Sequence, residues 1–501
     1  PQEKTPGVYI KEVPAFQNSV VEVATAVPAF VGYTEKSERG TEDLTGVPTR
    51  ISSLTDYLRL FGGPPTPAYS RTKADDGKVT FSPVGQKFYL FNSLRIYFNN
   101  GGGPCWIVSV GHYDAEEFAA GDFGAVGEGA WLALSKQQEP SMYVVPDAVA
   151  LSASDYKTVS EAAILSCQTL GSRVAILDIY NGGSDRIDEI ITGPNGFRNT
   201  VDPGDKPSYG MVYYPWLNTT IVESTDVDFS LLDSDSRSGL KTEIETELKE
   251  AGEVETLPDA VAAQLGVLEN IPMGNNGKPD KMGIRRTHLA LNAISQTYRT
   301  AMADLLKAIN VLPPSAAMAG VFARTDNTIG VFKAPANTGL MSVLSPTVTI
   351  SDAQQEDLNM PLDGKAVNAI RSFVGRGVVV WGARTLDGNS QDYRYINVRR
   401  TLIMLEQSVY YAALAYVFEP NVSSTWKSVQ AMLENFLNNQ WKAGALAGTK
   451  PEDAYDVSVG LGSTMTGNDI LDGYMRITVR VAISRPAEFI VITFQQKMQT
   501  S

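Results

Sequence analysis

Asp178 is the residue of this sequence best placed for catalysis. It ends a predicted buried strand, and catalytic carboxylates often lie where the strands of α/β proteins end. No nucleophile or general base is evident to pair with it, because neither a G-x-S-x-G nor an H-E-x-x-H motif occurs in the chain. We therefore favour a helix-capping or turn role for Asp178 over a catalytic one.

Two glycine-rich segments resemble nucleotide-binding loops only superficially. Residues 274–279 lack the spacing of a phosphate-binding loop, and Pro279 stands where a hydroxyl would bind Mg²⁺. Residues 101–103 precede a predicted strand, whereas a dinucleotide-binding motif follows a strand and opens a helix. We interpret the first segment as a tight turn.

Cysteine and histidine, the usual residues of metal and redox sites, are scarce. Cys105 and Cys167 stand in apolar contexts and are expected to be buried free thiols, which is typical of a reducing compartment. His112 and His288 are isolated, and we expect them to be surface or core residues rather than general bases. We predict no cofactor, no metal site and no enzymatic activity.

The elements around these residues alternate between strands and helices. The predicted strands are residues 105–110, 142–146, 174–179 and 209–216, and the predicted helices are residues 53–61, 87–98 and 155–170. Residues 20–27 form a further β-prone run, and residues 286–309 are predicted to be one helix. The alternation predicts an α/β sandwich with some parallel pairing, and the length of 501 residues predicts two to four domains.

Charge is distributed unevenly along the chain. The formal net charge of −14 disfavours general nucleic-acid binding, because that affinity comes from cationic side chains. Residues 223–259 hold twelve acidic and three basic residues, whereas residues 371–400 hold six arginines and two aspartates. We interpret the acidic segment as a solvated face, with an acidic docking segment as the alternative.

The sequence predicts neither a membrane span nor an export signal. Its longest nearly apolar stretch, residues 409–418, is far shorter than the roughly 20 residues that cross a bilayer. The chain does not open with a basic segment followed by an apolar one. We therefore expect a soluble protein that is synthesised in the cytoplasm.

The last third of the chain is predicted to contain two long helices, residues 397–416 and 424–442, and an alternating strand, residues 475–483. Two β-prone segments, residues 7–13 and 489–494, lie at the chain's ends and are separated from the rest by prolines. Such a segment can complete the sheet of another subunit or dock on its own domain, and composition leaves both possibilities open.

Several stretches resemble, in order, those of contractile tail sheath proteins, the family of contractile phage tails, phage-tail-like bacteriocins and extracellular contractile injection systems. They are TPGVYIKEVP (5–14), AFVGY (29–33), GVFARTD (320–326), GVFKAPAN (330–337), NAIRSF (368–373), GRG (375–377), VWGARTL (380–386), YINVRR (395–400), FEPN (418–421) and RPAEF (485–489). Together they span nearly the whole chain and are specific, whereas residues 183–312 match less well.

The resemblance implies a structural subunit of a contractile sheath. Such subunits polymerise as hexameric rings on a helix around an inner tube, and contraction drives the tube through a target envelope. The implied fold is α/β (α+β multidomain). Outer α/β sandwich domains accompany an inner C-terminal domain of two long helices and a small β-sheet, which strands from neighbouring subunits complete. The implied inter-subunit strand residues are Val8, Tyr9, Ile10, Phe489, Ile490, Val491 and Ile492.

On this basis we predict an N-terminal arm at residues 1–19, an outer α/β region at 20–350, an inner sheath domain at 351–485 and a C-terminal arm at 486–501. The outer region would contain two subdomains, with its variable part at about residues 183–312. The prediction places acidic residues on the outer face and basic residues towards the tube.

The implied partners are further copies of the chain, the inner tube protein, and baseplate and cap or terminator proteins, without direct nucleic-acid binding or membrane insertion. Candidate tube-facing basic residues are Lys427, Lys442, Arg399 and Arg400, with ion pairs inside the domain as the alternative. The subunit would be assembled into a virion-like or extracellular injection particle. The alternative function is a minor sheath paralogue or an adaptor at the baseplate or cap of the same kind of particle.

Overall fold

The chain divides into two units in the computed structural model, which describes residues 19–74, 76–115, 117–273 and 279–491. The larger unit consists of Ala26–Thr328 and Ala334–Ile396. The described part of the smaller unit consists of residues 19–25, Ile329–Lys333 and residues 397–491. The smaller unit is therefore built from three segments that are distant in sequence.

The larger unit contains most of the strands and helices. Its strands are β1 (Pro28–Thr34), β2 (Glu38–Arg39), β3 (Glu42–Asp43), β4 (Thr49–Ile51), β5 (Tyr69–Lys73), β6 (Val79–Pro83), β7 (Cys105–His112), β8 (Met142–Val144), β9 (Val174–Asp178), β10 (Gly210–Tyr214), β11 (Leu217–Thr219), β12 (Val311–Leu312), β13 (Val343–Pro346), β14 (Asn368–Phe373) and β15 (Gly377–Val380). Its helices are α1 (Leu54–Phe61), α2 (Leu90–Asn99), α3 (Ala120–Phe123), α4 (Gly129–Ser135), α5 (Ala153–Leu170), α6 (Ile187–Ile190), α7 (Phe197–Thr200), α8 (Ser234–Gly252), α9 (Asp259–Glu269), α10 (Lys281–Ile294), α11 (Gln296–Ile309), α12 (Ser315–Thr328) and α13 (Asp352–Asn359).

A mixed sheet organises the larger unit, in the strand order β15-β14-β10-β9-β8-β1-β7-β4 among the described residues. The central strands from β14 to β7 run parallel, and the two edge strands, β15 and β4, run antiparallel to their neighbours. Every residue of β1, β8, β9 and β10 is buried, as expected of parallel strands covered on both faces. The structure thus confirms the predicted α/β class and its parallel pairing.

A helical subdomain with its own core is part of the larger unit. Helices α8 to α11 pack together and against the β5–β6 hairpin around side chains that include Phe229, Leu240, Leu265 and Leu305. Arg71 of the hairpin donates to the Glu243 carboxylate at 2.7 Å, with the Arg71 side chain nearly buried. Much of the predicted acidic segment therefore belongs to an ordered helical module.

Two sequence predictions about elements were wrong. Residues 19–27 form no strand; instead Val20 and Val23 pack as irregular backbone against the core of the smaller unit. The predicted helix over residues 286–309 is two helices, α10 and α11, separated at Ser295. The Ser295 hydroxyl accepts a hydrogen bond from the backbone N–H of Tyr298 at 3.0 Å, which is an N-cap that starts a new helix.

The smaller unit contains α14 (Ile396–Ala413), α15 (Ser423–Ala443), α16 (Pro451–Ala454), α17 (Gly467–Leu471), β16 (Tyr455–Val459) and β17 (Ile477–Val481). The core lies between the two long helices and the strands, with Leu405, Leu433, Leu437 and Val457 among its buried members. Gly444 ends α15 with a φ of 92°, a left-handed conformation that residues with a Cβ rarely adopt. The two predicted long helices and the strand over residues 475–483 are thus confirmed.

The units divide the chain at other positions than the predicted boundaries. We predicted a boundary at residue 351, but β14 pairs in parallel with β10, so residues 368–380 are part of the large sheet. In the structure the change between units falls after Ile396. How the segments are distributed in an assembled particle stays a prediction.

Candidate assembly interface

Asp178, the best catalytic candidate, is a helix cap. It lies at the end of β9, where its carboxylate accepts hydrogen bonds from the backbone N–H and the hydroxyl of Ser315, at 2.7 and 2.5 Å. Ser315 is the first residue of α12, so the carboxylate satisfies the start of that helix. Burial raises the pKa of Asp178 to about 7, against hydrogen bonds from Ser315 that lower it.

The other chemically reactive residues are also engaged in packing. Cys105 and Cys167 are free and buried, as predicted. The His112 ring is 2.8 Å from the Ser37 hydroxyl. The His288 ring lies between the Tyr298 hydroxyl at 2.9 Å and the Asn292 amide at 2.8 Å, and burial lowers the pKa of this histidine.

In the part of the chain that the structure describes, no three His, Cys, Asp or Glu side chains cluster closely enough to hold a metal ion. Across the same residues, no helix combines the length and apolarity that a membrane crossing requires. The Gly-rich turn predicted over residues 274–279 lies outside the described residues except for Pro279.

Several arginines of the 371–400 stretch are directed to the chain itself. Arg371 pairs with Asp352 at 2.9 Å, and the fully buried Arg384 donates to the carbonyl of Gly388 at 3.1 Å. Arg399 and Arg400 are only 6% and 4% exposed, and Arg400 donates to the Thr25 carbonyl at 2.9 Å. Burial thus leaves these last two candidates little surface to offer a tube in this conformation.

Helix α15 places the two candidate lysines on a shared exposed face. Exposed positions recur every three or four residues along it, at Ser424, Lys427, Ala431, Asn435, Asn439 and Lys442. The opposite face, with Val429, Leu433 and Leu437, packs into the core. Lys427 and Lys442 are fifteen residues apart, roughly 22 Å along the axis at 1.5 Å per residue. We call these exposed positions the α15 stripe. Those between the two lysines carry small and amide side chains, and the half-buried Glu434 lies beside them, two turns from Lys427.

Strands β16 and β17 form a sheet of two strands in the described part of the smaller unit. Their apolar pairs, Val457 with Val479 and Tyr455 with Val481, pack at the core, and Asp456 pairs with Arg480 at 2.8 Å. A two-stranded sheet has backbone N–H and C=O groups at both outer edges that a further strand can bind.

The predicted terminal arms are described only in part. Phe489, Ile490 and Val491 are 66%, 79% and 89% exposed and form no helix or strand. Val8, Tyr9, Ile10 and Ile492 lie outside the described residues. The inter-subunit role of all seven arm residues stays a prediction.

The connection between α14 and α15 exposes apolar side chains that were not predicted from the sequence. Phe418 is fully exposed and has a φ of 69°, a backbone conformation that is rare for a bulky side chain. The available signal was the apolar pair Val417-Phe418 placed directly before Glu419-Pro420, where a turn between helices would normally be polar.

Comparison with known proteins identifies relatives of both the C-terminal region and the whole chain. The family model of the phage tail sheath C-terminal domain matches residues 389–497. The tail sheath protein of Enterobacteria phage T4 is 28% identical over 138 residues, which are 27% of this chain and 20% of that protein. The chain thus aligns with about a fifth of the length of this curated relative.

Solved structures match almost the full length of the chain. The anti-feeding prophage helical sheath in its contracted state is 30% identical with a TM-score of 0.59, covering 99% of this chain and 100% of that one. The sheath complex of PVC, an extracellular contractile injection system, in the contracted state is 27% identical with a TM-score of 0.60, covering 99% of this chain and 98% of that one. A chain of the contracted anti-feeding prophage baseplate is 25% identical with a TM-score of 0.64, covering 99% of both chains.

These full-length matches confirm the resemblance on which the sequence prediction depended. The identity is highest where the solved relative is itself a helical sheath, among the three structures described above. The chain belongs to the contractile tail sheath family and is a sheath subunit of a phage-tail-like contractile system.

Proposed function

We propose that this chain polymerises as hexameric rings stacked around an inner tube, and that contraction of the array drives the tube through a target envelope. The observation that carries the proposal is the small sheet of the smaller unit, in which the outer edge of β17 (Ile477–Val481) pairs with no further strand among the described residues. On the other edge, the Val457 carbonyl of β16 accepts a hydrogen bond from the Gln430 side chain. The full-length likeness to the contracted sheaths of PVC and the anti-feeding prophage supports it.

Strand exchange would hold the array together. The N-terminal arm, around Val8–Ile10, and the C-terminal arm, around Phe489–Ile492, would add strands to the β16–β17 sheets of neighbouring subunits. Each backbone hydrogen bond contributes about 0.5–1.5 kcal/mol net, so an added strand of about six residues contributes several kcal/mol per joint. The exposure of Phe489, Ile490 and Val491 supports this, because the described residues of the chain leave these apolar side chains uncovered.

The α15 stripe would face the tube. Lys427 and Lys442 are exposed towards its two ends, the exposed side chains between them carry no charge, and the half-buried Glu434 beside them accepts a hydrogen bond from Gln430. Contacts between exposed charges are weak and screened, at about 0–1 kcal/mol each. Such contacts would hold the sheath on the tube in the extended state and release it on contraction.

Contraction would be a single shift between two packings of rigid units. The work is stored in the extended array, and a baseplate signal releases it, so the step requires no nucleotide. The proposal therefore assigns this chain a mechanical role and no catalytic one.

Deletion of residues 1–14 tests the strand-exchange step. The deleted chain should remain monomeric and folded, with an unchanged unfolding transition, and should form no long sheaths by electron microscopy. A matched control keeps the arm and its β-prone segment but replaces the three polar residues before it, as Gln2→Ser with Glu3→Ser and Lys4→Ser. This variant should assemble normally. Long sheaths formed by the deleted chain would refute the role of the arm.

The second candidate is a minor sheath paralogue or adaptor at the baseplate or cap. One of the solved structures that match this chain comes from the anti-feeding prophage baseplate, with a TM-score of 0.64. This match supports the second candidate as well as the match to the helical sheath, with a TM-score of 0.59, supports the first. Quantitative mass spectrometry of purified particles distinguishes the two. A main subunit should be as abundant as the tube protein, and an adaptor should be present at one or a few rings per particle.

A further inference from the structure

The connection between α14 and α15 carries an apolar surface that the described residues of the chain leave exposed. Six residues, which we call the hairpin-tip surface, form it: Tyr410, Leu414, Val417, Phe418, Leu471 and Tyr474. Phe418 is fully exposed, Leu471 is 85% exposed and the others are about half exposed. We propose that the hairpin-tip surface packs against the body of a second copy of this chain, as an interface separate from the terminal arms.

Hydrogen bonds hold the segments that carry these residues in place. The Asn421 amide donates to the Tyr474 carbonyl at 2.9 Å, which joins the connection to the segment before β17. The Trp426 indole of α15 donates to the Asn421 side-chain oxygen at 2.7 Å, which fixes that asparagine in turn. The apolar side chains are therefore presented on an ordered surface, which lowers the entropic cost of binding a partner.

Backbone conformation at Phe418 is a second, independent observation. Its φ of 69° lies in the left-handed region, which a side chain with a Cβ rarely adopts. The Phe418 ring is fully exposed among the described residues, so no packing contact within them compensates for this conformation. Strained residues of this kind concentrate where a protein binds something.

The exposed area is that of an interface rather than of scattered surface residues. At about 200 Å² for a fully exposed aromatic side chain, Phe418, Tyr410 and Tyr474 together offer roughly 400 Å². The three aliphatic members bring the total towards the roughly 800 Å² that each partner buries in a standard interface. Single exposed apolar residues on a monomer need no partner, but these six lie on two segments that the Asn421–Tyr474 hydrogen bond joins, which makes them a candidate interface.

The composition favours a second copy over the tube or the terminal arms. The six members of the surface are apolar or aromatic, and Arg476 beside them binds Asp469 at 3.0 Å and lies over the Tyr474 ring. Two exposed acidic residues, Glu419 and Asp472, flank the surface. Apolar contacts suit a lasting contact between copies, whereas a tube contact has to be released. A terminal arm would need a strand edge, and residues 414–422 contain no strand.

Site-specific cross-linking in assembled particles tests the inference, which rests on the proposed sheath function. We would incorporate photoreactive p-benzoylphenylalanine in place of Phe418, confirm by electron microscopy that sheaths form, irradiate them and map the cross-linked peptides. The expected product has twice the mass of the chain, with the link inside residues 19–491 of a second copy.

Three outcomes would overturn the inference and leave the proposed function standing: an adduct with the tube protein, a link confined to residues 1–18 or 492–501, or sheaths without any adduct. Failure of the unmodified chain to form sheaths would instead overturn the proposed function.

A substitution gives an independent readout. Because the Phe418 ring is fully exposed, Phe418→Ser should fold normally, as circular dichroism can verify. It should raise the concentration required for sheath formation about tenfold or more, the effect of losing one buried aromatic per contact. The matched control, Met282→Ser on the exposed face of α10, should leave that concentration unchanged, and an equal effect of both variants would contradict the inference.

Discussion

The larger and smaller units differ in the size of their main sheet. The larger unit has a sheet of eight strands among the described residues, and its fully buried Asp147 accepts hydrogen bonds from the backbone N–H groups of Tyr33, Tyr89 and Leu90 at 2.9, 2.5 and 3.1 Å. The smaller unit has a sheet of two strands among the described residues, and it exposes Phe418 fully on the connection between its two long helices. We interpret the larger unit as one that keeps its shape by itself, and the smaller unit as one whose sheet other copies can extend.

The comparison predicts that changes inside the larger unit reduce stability, whereas changes on the surface of the smaller unit reduce assembly alone. The largest effect on stability should come from Phe30→Ala, in the middle of β1 and fully buried. Removing a buried phenyl ring leaves a cavity and should lower the free energy of unfolding by about 3–5 kcal/mol in chemical denaturation. Val47→Ala, at an exposed position of the same unit, is the control, and a loss below about 1 kcal/mol for Phe30→Ala would show that β1 is not part of the core.

The second effect depends on pH, through the buried carboxyl of Asp178. Its pKa of about 7 in the folded chain is above the ordinary value near 3.9 in the unfolded chain, so the folded state binds the proton more tightly. Its contribution to stability is therefore greatest at low pH and decreases as the pH rises through about 7.

Asp178→Asn, which cannot ionise, isolates this contribution. Between pH 5 and 7.5, the free energy of unfolding of the unsubstituted chain should fall by about 2 kcal/mol relative to the variant. Parallel pH profiles of the two proteins would contradict the assignment of a raised pKa to Asp178.

A smaller effect is expected at the break between α10 and α11. Ser295→Ala removes the N-cap of α11 and the hydrogen bond from the Ser295 hydroxyl to Glu247 at 2.6 Å. Thermal denaturation should show a loss of about 1–2 kcal/mol, whereas Thr300→Ala, on the exposed side of α11, should cost nothing. A loss as large for Thr300→Ala would mean that the cap is not what defines the break.

Reversing the charge of the two lysines of the α15 stripe should have the smallest effect on the free energy of unfolding but a large effect on assembly with the tube. Lys427→Glu with Lys442→Glu should change the free energy of unfolding by less than about 0.5 kcal/mol, because both side chains are exposed. Co-sedimentation of sheath with tube should nevertheless be abolished. Lys78→Glu with Lys206→Glu alters the net charge equally on the larger unit and should assemble normally. Unchanged co-assembly of the first pair would exclude the α15 stripe as the tube contact.

Local signals predicted much of the fold. The helices predicted over residues 53–61 and 424–442 and the apolar runs of β7, β9 and β10 follow from neighbouring residues, and the structure confirms them. The break at Ser295 was missed because it depends on Glu247, 48 residues away, whose carboxylate also accepts from the N–H groups of Gln296 and Thr297. Residues 20–27 look like a strand, but packing on the core of the smaller unit overrides that propensity.

The candidate interface was predicted less completely than the fold. Lys427 and Lys442 could be placed on one helix face from their spacing, and the structure leaves both exposed. Burial of Arg399 and Arg400 could not be foreseen, since Arg400 binds the Thr25 carbonyl, 375 residues away in sequence. The exposure of Phe418 was equally hidden, because sequence patterns do not distinguish an apolar residue in a core from one on an unoccupied surface.

The central claim is that the smaller unit joins copies of this chain into a contractile array around a tube. Cryo-electron microscopy of the chain co-expressed with its tube protein tests it most directly. We predict long striated sheaths with sixfold rings in two forms, a longer and narrower one around the tube and a shorter and wider one, with density for a neighbour's strand at the β16–β17 edge. Monomers, isolated rings or sheaths of a single fixed length without strand density at that edge would contradict the claim.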